Sequence, residues 1–396
     1  MIRTALAIFA VSLSGCVVSP PPTDTSCLTG EVQLLSDFDG ARANNCEKGG
    51  VHNFGISISP EATPINPSPW YAFDLEAHSA SRVDVEVRYE ASRHRYHPKI
   101  KLPGDTWRPL SPDRVKLSED GTSAKLTLDL PIGRTRIAAQ ELLDTSERVG
   151  WMQGLADRHN LRVTEIGRSV ENRPVLALES GRHLAGQPLI VILGGQHPPE
   201  VPGTLGLRSF VETLYSSEKL TDQLLSSVHL IVIPELNPDG IAKGHWRLNA
   251  GLTDINRDWG AFEQPETRAA RGAIETAVSR GSKPFLLLDF HATRRTIFYT
   301  PPDDFNLDPP NLTRDWFAGI RAYWDGEMPA RSAKHTAGHP TAKTWFAETY
   351  GAPGITLEFA DDAPWSEISA FAGALARALR DLIDSKSDPE TNHANP

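Results

Sequence analysis

The 396-residue sequence lacks the features that define several common classes of protein. It has no apolar run of the ~18 residues that a membrane-spanning helix needs. It has no dense run of Lys and Arg and its net charge is −10, so we do not expect nucleic acid as a partner, because phosphate binding requires clustered positive charge. The G-x-S-x-G turn of serine hydrolases and the glycine-rich loops that bind nucleotides are also missing.

Cysteine is scarce, with three residues in the chain. Three cysteines are too few to build a zinc ribbon, and Cys16 stands close to the N-terminus. Cys27 and Cys46 are separated by a short segment, and in an oxidising compartment such a pair favours a structural disulfide over a metal site. The spacing alone leaves open whether the two sulfur atoms meet.

Residues 1–15 have the layout of a secretory signal peptide, with one positive charge at Arg3, an apolar stretch over residues 5–13 and then small residues. The end of this segment, Leu-Ser-Gly-Cys16, resembles the bacterial lipobox. The resemblance implies that Cys16 is lipidated, and that Val17 in place of Asp directs the protein to the outer membrane, facing the periplasm. Membrane contact is then expected only through the lipid anchor. The alternative is an ordinary signal peptide.

The rest of the chain divides into a β-rich half and an α/β half. Residues 16–50 are interpreted as a tether and N-terminal segment, because the opening VVSPPPTDT is rich in proline. Residues 51–135 contain short alternating runs such as RVDVEVRY, which predict a small antiparallel β-sandwich. Residues 136–385 alternate strand-like and helical runs and predict an α/β domain with a mixed sheet flanked by helices. Residues 386–396 are polar and predict a disordered tail.

Polar residues follow the apolar runs of the α/β half. Four runs rich in Val, Ile and Leu predict strands buried on both faces: residues 189–193, 228–233, 285–288 and 355–359. Open α/β sheets bind ligands outside the carboxyl ends of their strands. His197 and Glu200 follow the first run, His291 follows the third, and Glu358 lies in the fourth. We therefore expect these four side chains to converge at one edge of the sheet.

Two imidazoles and a carboxylate are a typical ligand set for a catalytic zinc ion, which keeps a fourth position open. His197-x-x-Glu200 together with His291 supplies such a set. The alternative from the residues alone is that His197 caps the loop, Glu200 is solvated and His291 is a buried core histidine.

A second group of motifs favours the zinc site over the alternative of structural residues. Asn237-Pro-Asp-Gly is a turn signal, and it is followed by Arg247 and by a D-x-N-R segment, Asp254 to Arg257. With the H-x-x-E motif, the later His and the late Glu, this order resembles the zinc carboxypeptidase family over residues 137–385. The H-P-P-E form of the zinc loop, the short distance from Arg247 to Asn256 and the preceding β-sandwich resemble its cytosolic-carboxypeptidase-like branch most closely.

The resemblance implies the catalytic roles. His197, Glu200 and His291 would hold one Zn²⁺ ion. Glu358 would be the general base that takes a proton from water and passes it to the leaving amine. Arg247 would stabilise the oxyanion of the tetrahedral intermediate.

The family resemblance also implies how a substrate is held. Asn256 and Arg257 would bind the terminal carboxylate of a peptide, which a guanidinium matches with two parallel donors. Asp254 would orient a zinc-binding histidine from behind. The substrate would be a peptide or a peptide derived from peptidoglycan.

The sequence departs from the family pattern in one place and suggests a specificity in another. Many family members carry a Tyr well before the general base, and residues 336–340 offer none, although Tyr350 is a candidate to replace it. Lys343 stands where the family often places its specificity residue, and Arg294 and Arg295 follow the strand-end His. A basic pocket would favour an acidic C-terminal residue.

Two other functions remain as alternatives. A zinc-dependent amidohydrolase would release an acyl group from an N-acyl amino acid, as in the related desuccinylase and aspartoacylase branch. A non-catalytic lipoprotein would use the same α/β domain to bind cell-wall peptides.

Overall fold

The computed structural model describes residues 26–63, 67–143, 145–159, 161–180, 185–216, 227–302, 304–333 and 339–387. The predicted signal peptide, Cys16, the tether over residues 17–25 and residues 388–396 of the predicted tail lie outside these ranges. Within them, no helix combines the length and the apolar character that crossing a bilayer requires.

The first half of the described chain forms two packed β-sheets. Their elements are β1 (Ser26–Thr29), β2 (Val32–Leu35), β3 (Asn45–Gly50), β4 (Asn53–Ile58), β5 (Ala72–Ala77), β6 (Ser81–Tyr89), β7 (Lys99–Lys101), β8 (Arg108–Pro109), the 3₁₀ turn η1 (Pro112–Arg114), β9 (Val115–Leu117), β10 (Ser123–Leu130) and β11 (Gly133–Ala138). One sheet has the order β1-β2-β5-β11-β7-β8 and the other β3-β4-β6-β10-β9. Alternate side chains of β6 and β10 are buried between the sheets, as the period of two predicts.

The predicted β-sandwich is confirmed, and the structure differs from the prediction in two details. It begins at Ser26 instead of residue 51 and ends at Ala138, because β1, β2 and β3 pair with later strands of both sheets. These strands have four to six residues, and β3 reads NCEKGG, so their sequences carry little alternating pattern. The sandwich is also not wholly antiparallel, because β4 and β6 are parallel. The intervening β5 lies in the other sheet, and this crossover lets the two strands run in one direction.

Cys27 of β1 and Cys46 of β3 form a disulfide, with their Cα atoms 6.0 Å apart. The two strands belong to different sheets, so the bond joins the sheets covalently near the start of the described chain. A cross-link of this kind stabilises the fold mainly by restricting the unfolded chain.

The second half is built on one mixed sheet. Its elements are α1 (Thr145–His159), β12 (Leu161–Arg168), β13 (Pro174–Ser180), β14 (Pro188–Gly194), α2 (Val201–Leu214), β15 (His229–Ile233), α3 (Pro238–Ala242), the 3₁₀ turn η2 (Ile255–Arg257), α4 (Pro265–Ser279), β16 (Lys283–Thr293), β17 (Ile297–Tyr299), α5 (Leu312–Ile320), β18 (Ala330–Ser332), α6 (Ala342–Tyr350), β19 (Gly354–Ala360) and α7 (Trp365–Ser387). The strand order is β12-β13-β15-β14-β16-β19-β17-β18. The predicted mixed α/β sheet is confirmed.

The four apolar runs form the centre of this sheet. β15, β14, β16 and β19 are adjacent and parallel. One face packs on α1, α2, α5 and α7 and the other on α4 and α6, so both faces are covered, as continuous apolar strands require. The chain passes from β14 to β15 on one side and later to β16 on the other. The carboxyl end of β14 is therefore a switch point, where open α/β sheets bind their ligands.

Candidate active site

The turn after β14 brings His197 and Glu200 to the edge of the sheet. Gly195 has φ +62°, and a Cβ there would lie 2.9 Å from the Pro234 carbonyl oxygen, so the turn requires glycine. Glu200 is the N-cap residue of α2. The turn thus reverses the chain within a few residues and directs both side chains over the carboxyl ends of the central strands.

A second glycine allows α2 to approach β16. A Cβ on Gly203, in the first turn of α2, would lie 2.6 Å from the carbonyl carbon and oxygen of His291. Without a side chain at this position, the start of the helix rests directly on the strand. This close packing places Glu200 beside His291 although the two residues are far apart in the sequence.

The two histidines share the Glu200 carboxylate. Nδ1 of His197 lies 2.9 Å from Oε1, and Nδ1 of His291 lies 2.6 Å from Oε2. One ligand atom from each of the three side chains falls within 4.8 Å of the others. Burial alone would raise the pKa of Glu200, but the charges of the two imidazoles and their hydrogen bonds outweigh it and hold the pKa below its usual value.

A carboxylate lies behind each imidazole. Oδ1 of Asp254 is 3.0 Å from Nε2 of His197, and Oδ2 of Asp289 is 2.9 Å from Nε2 of His291. Asp289 is itself held by the side-chain amide of Gln196, which donates to its two oxygens at 2.9 and 2.8 Å. These contacts fix each ring with Nδ1 facing Glu200.

This donor set suits a zinc ion. Two imidazole nitrogens and a carboxylate are the ligands of many catalytic zinc sites, and three protein ligands leave a fourth position open. The carboxylate behind each imidazole is also a typical feature, because it fixes the tautomer and makes the metal-facing nitrogen more basic.

Glu358 lies next to these three residues. It is on β19, opposite His291 in the register of the two parallel strands. Its Oε2 is buried and has no hydrogen-bond partner among the described residues. Burial, and then the negative charge of Glu200, raise the pKa of Glu358 to about 7. A carboxyl group with this pKa can both accept and donate a proton near neutral pH.

Arg247, Asn256 and Arg257 also line the cavity in front of these residues. Nε of Arg247 donates to Oδ2 of Asp254 at 2.7 Å, so one aspartate holds both this arginine and His197. The Asn256 carbonyl oxygen accepts from Nη1 of Arg257 at 2.8 Å. The Asn256 side-chain amide faces Nε2 of His291 at 3.3 Å, so this residue touches a ligand histidine as well as the cavity.

The cavity has a volume of about 310 Å³ and is formed by both halves of the chain. The sandwich contributes Arg95 and Tyr96, which the sequence did not connect with the site. Arg95 is held there by Asp361, whose Oδ2 accepts from Nε at 3.0 Å, and its guanidinium stacks on the ring of Trp246 at 5.6 Å. The sandwich is therefore one wall of the cavity.

The structure places only some of the predicted specificity residues at the cavity. Lys343 lines the cavity, and burial lowers its pKa. Arg294 and Arg295 are not among the described residues that line it, and Arg295 instead borders a separate groove. Tyr350 packs on Trp345 and Phe346, away from the cavity, whereas Tyr299 lines it.

Some contacts could have been found from the sequence and others could not. Asp289 and His291 are two apart in one strand, so their side chains share a face, and this spacing was a usable signal. Tyr299 and Arg95 reach the cavity from β17 and from the sandwich, and no local pattern relates them to the zinc-ligand motifs.

Comparison with known proteins agrees with this geometry. Residues 149–363 match the model of the zinc carboxypeptidase family. Human cytosolic carboxypeptidase 4 is 33% identical over 98 residues, which are 24% of this chain and 9% of that protein. Zebrafish (Danio rerio) cytosolic carboxypeptidase 1 is 28% identical over 102 residues, 25% of this chain and 9% of that protein. The matched segment is thus a small part of these relatives.

Solved structures match over most of the chain. A metallo-carboxypeptidase from Burkholderia cenocepacia superposes with a TM-score of 0.74 at 17% identity, covering 90% of this chain and 100% of that one. A metallo-carboxypeptidase from Pseudomonas aeruginosa, in complex with (2-guanidinoethylmercapto)succinic acid, gives a TM-score of 0.69 at 20% identity, covering 89% and 99%. At these identities the likeness concerns the fold.

The matching family model covers more than half of the sequence. The chain therefore belongs to the zinc carboxypeptidase family, as its motifs indicated.

The contact between Asp289 and His291 can be tested by measuring the affinity for zinc. Asp289→Asn should weaken zinc binding about 10- to 100-fold, because the amide can donate to Nε2 and so favour the tautomer that carries its proton on Nδ1. Competition with a fluorescent chelator measures the affinity. Asp239→Asn is the control, since Asp239 is equally buried but its side chain accepts hydrogen bonds from Ser169, Glu171 and Arg173. Unchanged affinity in Asp289→Asn would contradict the assigned contact.

Proposed function

We propose that this protein is a zinc-dependent carboxypeptidase that hydrolyses the C-terminal amide bond of peptides. The observation that carries the proposal is the unpartnered Oε2 of Glu358, buried beside the cluster of His197, Glu200 and His291. A buried carboxyl group without a hydrogen-bond partner is costly to maintain, and such groups are common where they act on a substrate.

His197, Glu200 and His291 would hold the zinc ion. A metal ion bound by these residues would supply Lewis acidity, which polarises a carbonyl group and lowers the pKa of water. The carboxylates of Asp254 and Asp289 keep the two ligand imidazoles in orientation.

Glu358 would transfer the proton from the attacking water to the leaving amine. Its carboxylate accepts a proton from the attacking water, and the protonated carboxyl then donates it to the nitrogen of the leaving amine. Burial and the negative charge of Glu200 raise the pKa of Glu358 above the usual value, which brings the protonated form that donates to the amine within reach. The position on β19, opposite His291, holds the carboxyl close to the ligand cluster.

Two arginines would interact with the negative charges of the substrate and of the tetrahedral intermediate. Arg247 stabilises the oxyanion that develops at the scissile carbonyl, while Asp254 fixes its guanidinium through Nε. Arg257, with Asn256, binds the terminal carboxylate of the peptide. A cation reserved for that carboxylate is what limits the reaction to the end of a chain.

Lys343 supports a preference for acidic C-terminal residues. Its ammonium group lies in a buried part of the cavity wall, and none of the described carboxylates forms an ion pair with it. An acidic substrate side chain would supply the missing opposite charge. Glutamate and the carboxylate of a peptidoglycan stem peptide both have the required chemistry.

The N-terminal sequence supports a proposed place of action. The lipobox-like Leu-Ser-Gly-Cys16 supports a protein anchored by lipid in the outer membrane and facing the periplasm. The cystine between Cys27 and Cys46 is stable in that compartment, where the substrate would be a peptide or a peptide derived from peptidoglycan.

The general base can be tested directly. Glu358→Gln should lower kcat by about 10²- to 10⁴-fold with zinc content unchanged, because the amide cannot accept the proton. The substrate is a peptide library that varies the C-terminal residue, with mass spectrometry of the products. Glu266→Gln is the control, since Glu266 is buried but does not line the cavity.

The same experiment separates the alternatives. Release of single C-terminal residues by zinc-loaded protein supports a carboxypeptidase, and loss of this activity on chelation with recovery on adding zinc supports the metal. Internal cleavage would contradict the proposal. Activity on N-acyl amino acids alone would favour an amidohydrolase, and binding of peptides without turnover would favour a non-catalytic protein.

Lys343 can be tested by charge removal. Lys343→Met should lower kcat/KM for Glu-terminated peptides about 10- to 100-fold and leave Phe-terminated peptides little affected, because only the former lose an ionic partner. Arg295→Met, at a cation outside the cavity, should not change the preference. Equal cleavage of Glu- and Phe-terminated peptides by the unmodified protein would contradict an acidic specificity.

A further inference from the structure

Arg247 stands on a segment that has little regular structure of its own. The segment runs from the end of α3 at Ala242 to η2, which begins at Ile255. The guanidinium is fixed through Nε by Asp254, but that contact holds only the tip of the side chain. The backbone from which the side chain extends must be held by something else, because an oxyanion-stabilising group is effective only when it is positioned in advance.

A single carboxylate of the sandwich holds that backbone. Oε1 of Glu61 accepts hydrogen bonds from the backbone N–H groups of Trp246, Arg247 and Leu248, at 2.9, 2.8 and 3.3 Å. Glu61 lies beyond the end of β4, in the connection to β5, and is 6% exposed. A single oxygen that accepts from three consecutive N–H groups fixes the positions of all three relative to the sandwich.

Other parts of the sandwich contact the same segment. The backbone N–H of Gly40 donates to the carbonyl oxygen of Ala242 at 2.8 Å. A Cβ on Gly244 would lie 2.4 Å from the carbonyl oxygen of Ala41, so the two halves are in direct backbone contact there. The indole N–H of Trp246 donates to the hydroxyl of Tyr96 at 2.9 Å. The segment is thus held by the sandwich at its start and on both sides of Arg247.

We propose that Glu61 is a positioning residue for Arg247, and that the β-sandwich is in this way a working part of the active site. The inference rests on the proposed function, because it takes Arg247 as the group that stabilises the oxyanion. Removing the Glu61 oxygen leaves three backbone donors without their shared acceptor. The segment then samples other conformations, and the guanidinium spends less time where the negative charge develops.

Two conservative variants separate the position of the oxygen from its charge. Glu61→Gln keeps an acceptor oxygen at the same reach and loses the charge, so kcat should stay within about 3-fold of the unmodified enzyme. Glu61→Asp keeps the charge but withdraws the oxygen by ~1.5 Å, so kcat should fall about 10-fold or more with KM little changed. A larger loss of kcat in Glu61→Gln than in Glu61→Asp would overturn the proposal.

A double-mutant cycle tests whether the effect passes through Arg247. Arg247→Ala should lower kcat by about 10²- to 10³-fold. Adding Glu61→Asp to Arg247→Ala should then cost less than about 2-fold, because the group being positioned has already been removed. Fully additive losses would mean that Glu61 acts in some other way, and would overturn the proposal.

Hydrogen exchange gives a readout that does not depend on activity. In Glu61→Asp, the amides of Trp246, Arg247 and Leu248 should exchange about 10-fold faster or more, with little change in the strands of the catalytic sheet. Gln140→Ala is the control, because its side chain also links the sandwich to the second half, through the Asp361 carbonyl oxygen at 2.8 Å, but does not touch this segment. Equal exchange in Glu61→Asp and the unmodified protein would overturn the proposal.

These outcomes are distinguishable from failure of the proposed function. If the unmodified, zinc-loaded protein does not release C-terminal residues, or if Arg247→Ala retains full activity, the carboxypeptidase assignment or the role of Arg247 is wrong. If both of those results hold and Glu61→Asp remains fully active, only the positioning role of Glu61 is wrong.

Discussion

The largely buried carboxylate of Glu200, set between the imidazoles of His197 and His291, is the constraint on which the rest of the structure depends. A buried negative charge is tolerated only when opposite charges or hydrogen-bond donors surround it closely. Two separate segments must therefore meet within a few ångströms: the turn that leads from β14 into α2, and the end of β16. The glycines at positions 195 and 203 make this possible, because a side chain at either position would collide with neighbouring backbone atoms.

Around this centre the contacts are arranged in successive layers. Asp254 and Asp289 hold the outer nitrogens of the two histidines, and Asp254 also holds Arg247. One aspartate thus ties the orientation of His197 to that of Arg247. The next layer crosses to the sandwich, which contributes a cavity wall and contacts with the Arg247 segment. The two halves of the chain consequently enclose one cavity, although their sequence patterns are quite different.

Most of the α/β half could be predicted from the sequence, because the signals for its strands are strong and local. Four continuous apolar runs identified the central strands, and the rule that ligands bind at the carboxyl ends of parallel strands identified His197, Glu200, His291 and Glu358 as neighbours. The start of the sandwich was missed because strands of four to six residues carry too little alternation. Arg295 and Tyr350 were placed near the site on sequence proximity alone, yet a strand end and a helix end turned them elsewhere. Arg95 and Glu61 could not be found, since contacts between domains leave no periodic pattern in either one.

The central claim is that two histidines and a glutamate, distant in the sequence, share one metal ion. Anomalous diffraction at the zinc absorption edge, from crystals grown with zinc, tests it most directly. The account predicts a single strong peak within about 2.0–2.2 Å of Nδ1 of both His197 and His291 and of a Glu200 oxygen. A peak at any other set of side chains, coordination through the Nε2 atoms, or no peak at full zinc loading would contradict it.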